Sequence, residues 1–260
     1  MIVRTDAVVL HAFDYGETSR IVRLLTRQHG VIGALARGAR RTKSTFGSTL
    51  QPGSYIQAVY YHRPQRGLQT LKEASHVIRF KRLAADIQRL ALAFRVIETT
   101  RLVVEEGEAH PLALDLVVGA LAHIDDAEAN VANAVPWFQI HLLSLLGFAP
   151  AVEREDVLAL GDQGGRLDLD TGAVVPAGDA RGAGPAASRA ALRAFAVLAR
   201  TDLDTAGRMR LDTDVRQQVD GLVGAYVRAH TESTMPERVR DVVAQMEARL
   251  RSLADQVTQT

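Results

Sequence analysis

Near residue 80 the spacing of apolar side chains changes from every second position to every third or fourth, and one layer of secondary structure cannot satisfy both periods. Before that point, candidate strands at 3–13, 19–25, 31–36, 54–61 and 68–74 are separated by segments rich in turn residues. These segments are Asp14-Tyr15-Gly16-Glu17, Gln28-His29-Gly30, the long connection 37–53 and Pro64-Gln65-Arg66-Gly67. Their Gly and Pro residues supply the backbone angles that tight reversals need. Five short strands with one long loop predict a five-stranded OB-fold β-barrel.

Beyond residue 80, Leu83, Ile87, Leu90, Leu92, Phe94, Ile97 and Leu102 recur at helical spacings without Gly or Pro, predicting one long helix over about 80–105. The domain boundary then falls at 78–82, dividing an OB-fold domain at 1–80 from an α-helical domain at 81–260 in an α+β multidomain chain. Glu105-Glu106-Gly107-Glu108 ends that helix, and Pro111 sits where a helix begins. A further helix is expected over 135–146, stopped by Gly147 and Pro150. Residues 151–187 are rich in Gly, Asp, Ala and Pro, with short apolar runs at 157–160, 167–169 and 173–175 that suit small strands around Gly164-Gly165. This stretch reads as an irregular insertion. Helical texture resumes at 188–199, 212–229 and 236–257.

The charge follows the same division. Residues 1–82 carry fourteen basic side chains against four acidic ones, a net of +10, and the remainder carries seventeen against twenty-six, a net of −9. A basic barrel on an acidic body points to a polyanionic partner. The chain has no cysteine, which excludes disulfides, thiolate metal sites and cysteine catalysis and fits a reducing compartment. The N-terminus reaches charge at Arg4, and the apolar stretch 137–148 is broken by Gln139, His141 and Ser144, so neither a signal peptide nor a membrane span is predicted.

The densest cationic run, Arg37-Gly38-Ala39-Arg40-Arg41-Thr42-Lys43, lies in the longest loop of the barrel. Guanidinium forks and an ammonium on a Gly-bearing loop suit a phosphate backbone. Arg20, Arg23, Arg63 and Arg66 are expected to support it, with Phe46, Tyr60 and Tyr61 as candidates for stacking on bases. Strand alternation predicts that one of Tyr60 and Tyr61 enters the core, and Phe46 has anchoring the loop as its other role.

The ordered succession Ala7-Val8-Val9-Leu10, Asp14-Tyr15-Gly16-Glu17, Gln28-His29-Gly30, Ala36-Arg37-Gly38-Ala39-Arg40-Arg41, Phe46-Gly47 and Leu50-Gln51-Pro52 resembles the N-terminus of the RecO family of bacterial DNA repair and recombination mediators. Leu145-Leu146-Gly147-Phe148 is similar to the helix end that precedes the family's zinc region. The resemblance implies a non-enzymatic protein without cofactor, located in the bacterial cytoplasm at the nucleoid. It would bind single- and double-stranded DNA, anneal complementary strands and help load RecA onto strands coated with single-strand-binding protein (SSB). Implied partners are RecR, the SSB C-terminal tail and, in some cases, RecF. Many members carry a four-cysteine zinc finger after the Leu-Gly-Phe helix end, whereas this chain has Glu153-Arg154-Glu155-Asp156-Val157 and Val174-Val175-Pro176-Ala177-Gly178 there. A zinc-free insertion is therefore expected.

An acidic, apolar tail needs an apolar pocket rimmed by cations, and Arg89, Arg95 and Arg101 on the first long helix are candidates for that rim. Arg238, Arg240, Arg249 and Arg251 interleave with apolar residues in the C-terminal helical texture, which would dock on the body or on a partner. Two other functions stay open: a generic OB-fold nucleic-acid or ribosome-associated protein without mediator activity, and an aspartic hydrolase using Asp170 of Asp170-Thr171-Gly172. Arg37-Gly38-Ala39-Arg40-Arg41 lacks the Gly-Lys-Ser/Thr end of a nucleotide-binding P-loop, so ATP hydrolysis has no support. His141, on an apolar helix face, reads as a buried and satisfied side chain rather than a metal ligand.

Overall fold

The structure, a computed structural model, describes residues 1–161, 163–179 and 184–231. Strands β1 (Ile2–Tyr15), β2 (Ser19–Thr26), β3 (Gly30–Ala36), β4 (Tyr55–Tyr61) and β5 (Leu68–Ile78) close into a barrel in the order β1-β2-β3-β5-β4. Every pairing is antiparallel except β3 with β5. This is the expected OB-fold, with Val3, Val9, Val22, Leu24, Ile56 and Tyr60 among the side chains that fill it.

One irregularity changes which side chains face out. The β1–β2 register shifts between Val9 and His11. Before the shift, Ala7 and Val9 point into the barrel while Val8 and Leu10 point away from it; after it, Ala12 is the inward residue. Leu10 and His11 thus share the outer side, as a β-bulge requires, and the alternation beyond them is inverted. Phe13 and Tyr15 consequently lie on the outside, 44% and 54% exposed.

The helical part comprises α1 (Lys81–Ala85), α2 (Ile87–Val103), α3 (Pro111–Asp126), α4 (Ala134–Leu145), α5 (Arg154–Ala159), α6 (Arg189–Arg200), α7 (Leu203–Arg208) and α8 (Thr213–Thr231). Strands β6 (Gly165–Leu167), β7 (Val174–Pro176) and β8 (Ala186–Ala187) form a small sheet in the order β7-β6-β8. The single helix expected over 80–105 is two. Asp86 is extended (φ −122°, ψ 116°), and its carboxylate accepts from the backbone N–H groups of Gln88 (2.8 Å) and Arg89 (3.2 Å). An Asp that caps a new helix start outweighs unbroken apolar spacing.

Residues 157–160, expected as a strand, fall largely in α5, where Glu155 and Asp156 in the first turn favour the positive helix end. Helix α7 was not anticipated; Asp202 starts it by accepting from the Thr205 N–H at 2.7 Å. The helical texture at 236–257, with Arg238, Arg240, Arg249 and Arg251, lies outside the described residues.

Central to the body is α4, where Trp137 donates from its indole to the Thr201 carbonyl at 2.8 Å and stacks on His141 at 4.3 Å. His141 is satisfied by the Leu198 carbonyl at 3.1 Å, and burial lowers its pKa. The barrel is not separately cored from this body. Val8, Leu10, Leu25, Val31 and Tyr55, all on its outer side, belong to the same apolar cluster as Val104, Leu114, Val117 and Leu121. Around that seam Arg27 pairs with Asp115 (3.2 Å through Nη1), Arg23 pairs with Glu106, and Val31 bridges to Glu106. Gly30 has φ +60°, and a Cβ there would lie 1.7 Å from the Glu108 carbonyl oxygen, so this approach admits only glycine.

Candidate nucleic-acid interface

The barrel carries its helical body on one side of the outer surface and leaves the other side open. On the open side three segments converge: the β1–β2 turn, the start of the 37–53 connection and the β4–β5 turn. Asp14 ties the first two together. Its carboxylate meets Arg20 Nε at 3.0 Å and Arg40 Nε at 3.1 Å, and Arg40 also donates to the carbonyls of Gly16 (3.1 Å) and Glu17 (3.2 Å). The β4–β5 turn is held from within by Gln69, only 6% exposed. Its amide nitrogen donates to the carbonyls of Arg63 (3.2 Å) and Arg66 (2.6 Å), and its oxygen accepts from the Arg63 N–H (2.8 Å). Sequence reading missed this buried amide, although a polar residue at an inward strand position beside a turn is the sign of such a brace.

The eight expected cations therefore divide. Arg20 and Arg40 share Asp14, and Arg23 is engaged by Glu106. Arg37, Arg41, Lys43, Arg63 and Arg66 are exposed and meet no carboxylate among the described residues. Arg37 joins two open clefts. One, of about 260 Å³, is shared with Tyr61, Arg63, Arg66 and Thr70; the other, of about 410 Å³, with Tyr15, Ser19, Leu35 and Arg41.

Of the aromatics, Tyr60 is fully enclosed, its hydroxyl 2.8 Å from His29 Nδ1, whereas Tyr61 is 42% exposed beside Arg37. Phe46 is a correction. It is 5% exposed and packs inside the barrel, so it plugs the end of the core and has no face for a base. A short turn, Gly47–Leu50, follows it and brings Leu50 into the same core. In a polar loop one aromatic residue gains more from burial than from exposure.

The partner rim expected at Arg89, Arg95 and Arg101 does not assemble. Arg89 is largely buried and donates to the carbonyls of Ile124, Asp125 (3.1 Å) and Ala127 (2.8 Å), closing the C-terminal end of α3. Arg95 pairs with Asp220 at 3.1 Å and Arg101 with Glu98 at 2.7 Å. An apolar groove rimmed by cations exists elsewhere, between α5 and α6. It has a volume of about 900 Å³, a floor that includes Val157, Leu158 and Val197, and Arg154, Arg189, Arg193 and Arg200 around it. The signal in the sequence was the spacing Arg189, Arg193, Arg200 against Ala190, Ala196 and Val197 on one helix.

Asp170-Thr171-Gly172 forms the turn between β6 and β7. Asp168 Oδ1 accepts from the N–H groups of Asp170 (3.0 Å) and Thr171 (2.9 Å), and Gly172 has φ +70°. That is Asx-turn chemistry, with Asp170 exposed and no second carboxylate of a proton-sharing pair drawn to it among the described residues. Nor do the residues present fit a zinc ion: the chain has no cysteine, and no group of three His, Asp or Glu among the described residues is placed to hold a metal. The insertion is held instead by backbone contact, since a Cβ on Gly165 would lie 2.5 Å from the Val175 carbonyl oxygen, and by Val157, Leu160, Leu167 and Val174 in the common core. No helix among the described residues is long and apolar enough to cross a membrane.

Comparison with known proteins agrees with this architecture. The family model described as Recombination protein O N terminal matches residues 1–80, and Recombination protein O C terminal matches 84–238. A DNA repair protein RecO from Salinibacter ruber is 47% identical over 246 residues, covering 95% of each chain. Its counterpart in Frankia casuarinae is 31% identical over 89% of this chain and 94% of its own, and that of Chloroherpeton thalassium 28% over 95% and 99%. With both family models in order along a closed barrel and its helical body, this chain belongs to the RecO family.

Proposed function

We propose that this protein acts in DNA repair as a recombination mediator: it binds single- and double-stranded DNA through the barrel, anneals complementary strands and, with RecR, helps load RecA onto SSB-coated strands. RecF is a further partner in this reading, and the place of action is the cytoplasm, at the nucleoid. The observation that carries the reading is the set of four cations, Arg37, Arg41, Arg63 and Arg66, that line two clefts joined at Arg37 and meet no carboxylate among the described residues. Family membership supports the repair role. Neutralising phosphates on two strands lowers their mutual repulsion, so pairing is assisted without any bond being made or broken.

The α5–α6 groove has the chemistry for the SSB tail: an apolar floor for its hydrophobic end and guanidinium groups for its carboxylates. Annealing of SSB-coated complementary strands tests both parts. Arg193→Glu is expected to slow annealing of coated strands and leave naked strands unaffected, whereas Arg37→Glu with Arg41→Glu stops both. A wild-type protein that binds naked DNA but cannot act on coated strands is a generic binder, and the mediator reading then fails.

A further inference from the structure

The bulge in β1 does more than bend a strand. Across the open outer face, directly paired residues line up in one row: Phe13 opposite Ile21, Ile21 opposite Leu35, Leu35 opposite Thr70, and Thr70 opposite Tyr61. Four strand spacings of about 4.8 Å make this row roughly 19 Å long on the curved sheet. It begins and ends on an exposed aromatic ring and is apolar between them except at Thr70. Tyr15, two residues beyond Phe13 on the same side, lines the cleft that contains Arg37 and Arg41. On the other side of Phe13 the His11 ring lies 5.8 Å away, centroid to centroid.

Apolar and aromatic surface beside cations that meet no carboxylate among the described residues suits a ligand with flat apolar faces and a polyanionic backbone. Single-stranded nucleic acid offers both at once, whereas a duplex keeps its base faces stacked inside and presents mainly phosphates and groove edges. We propose that Phe13 and Tyr15, turned outward by the β1 bulge, form with Tyr61 a base-stacking platform that makes this barrel prefer unpaired strands to duplex. The phosphates follow Arg37, Arg41, Arg63 and Arg66 along the platform's edge. The proposal rests on the DNA-binding reading above and adds to it the residues that discriminate between the two forms.

Fluorescence anisotropy of the full chain tests this, with a labelled thymidine homopolymer of about twenty nucleotides, longer than the roughly 4–16 that one barrel occupies, and a duplex of equal length. Phe13→Ala combined with Tyr15→Ala is expected to weaken single-strand binding by about tenfold or more and to change duplex binding by less than about twofold. Phe13→Tyr combined with Tyr15→Phe keeps the rings and the preference. In a Tyr15→Trp variant, indole fluorescence is expected to be quenched by the single strand and not by the duplex; Trp137, the chain's own tryptophan, is 8% exposed in α4. Unchanged single-strand affinity in the double alanine variant, or equal loss for both forms, overturns the platform. Arg37→Glu with Arg41→Glu reports separately on DNA binding itself. If that variant binds both forms normally, the barrel reading fails before the aromatic residues are considered.

Discussion

The division of barrel cations into free and engaged sets fixes how binding must respond to salt. Each phosphate neutralised on a single strand contributes about −0.7 to the slope of log affinity against log salt. Arg37, Arg41, Lys43, Arg63 and Arg66 have no carboxylate to leave among the described residues, so five contacts give a slope near −3.5 and a loss of about 100-fold between 50 and 200 mM salt. Were Arg20, Arg23 and Arg40 also to act, the slope would approach about −5.6 and the loss about 2000-fold. Those three are committed to Asp14 and Glu106, so the smaller figure is expected. Anisotropy titrations at several NaCl concentrations distinguish the two, and Arg41→Gln should move the slope to about −2.8 while Arg23→Gln leaves it in place. A flat salt dependence, a slope near the larger value, or an Arg41→Gln protein whose slope does not move would refute the assignment.

Three further outcomes follow from the packing. Phe46→Ala removes the plug of the barrel core and should lower unfolding free energy by about 3 kcal/mol or more in denaturant titration, contrary to what a surface stacking residue would do. Gly30→Ala should cost about 2 kcal/mol or more, because the new methyl meets the Glu108 carbonyl at a position that also has positive φ; a neutral effect would mean the seam between barrel and helices is looser than described. The Arg27 guanidinium holds the Asp115 carboxyl below its ordinary value, so this pair stabilises the fold above about pH 4 and loses that contribution as pH falls through the depressed value. Both groups are substantially exposed, so the difference between wild type and Asp115→Asn should be no more than about 1 kcal/mol at neutral pH and low salt, and vanish in acid.

The barrel strands were legible because each has one face toward a core and their turns carry Gly or Pro. The bulge was not, since Val8, Val9 and Leu10 are all apolar and any register through them buries something acceptable. Phe13 and Tyr15 therefore went unnoticed as surface aromatics. The basic loop could be read from composition, but whether each cation was free depended on distant carboxylates. Glu106, 83 residues from Arg23, and Asp14, 26 residues from Arg40, give no local sign of those partnerships. Arg89, Arg95 and Arg101 failed as a rim for the same reason: helical spacing reports which residues share a face, and the opposing element decides whether that face is open. The α5–α6 groove needed a helix within the insertion to meet one that follows it, which only the folded chain displays.

The core that runs from the barrel into the helices has a mechanical meaning. Val8, Leu10, Leu25, Val31 and Tyr55 would form an adhesive patch on a barrel cut free near residue 80, so the seam between the two family descriptions is a poor place to divide the protein. Gly30 seated against Glu108 and Arg27 clasping Asp115 add backbone and ionic contacts to the apolar ones that already join the two parts at that seam. A strand pulled across the barrel would transmit its load to α3 as though through a single rigid handle, and whatever the helical body grips would be drawn along with it.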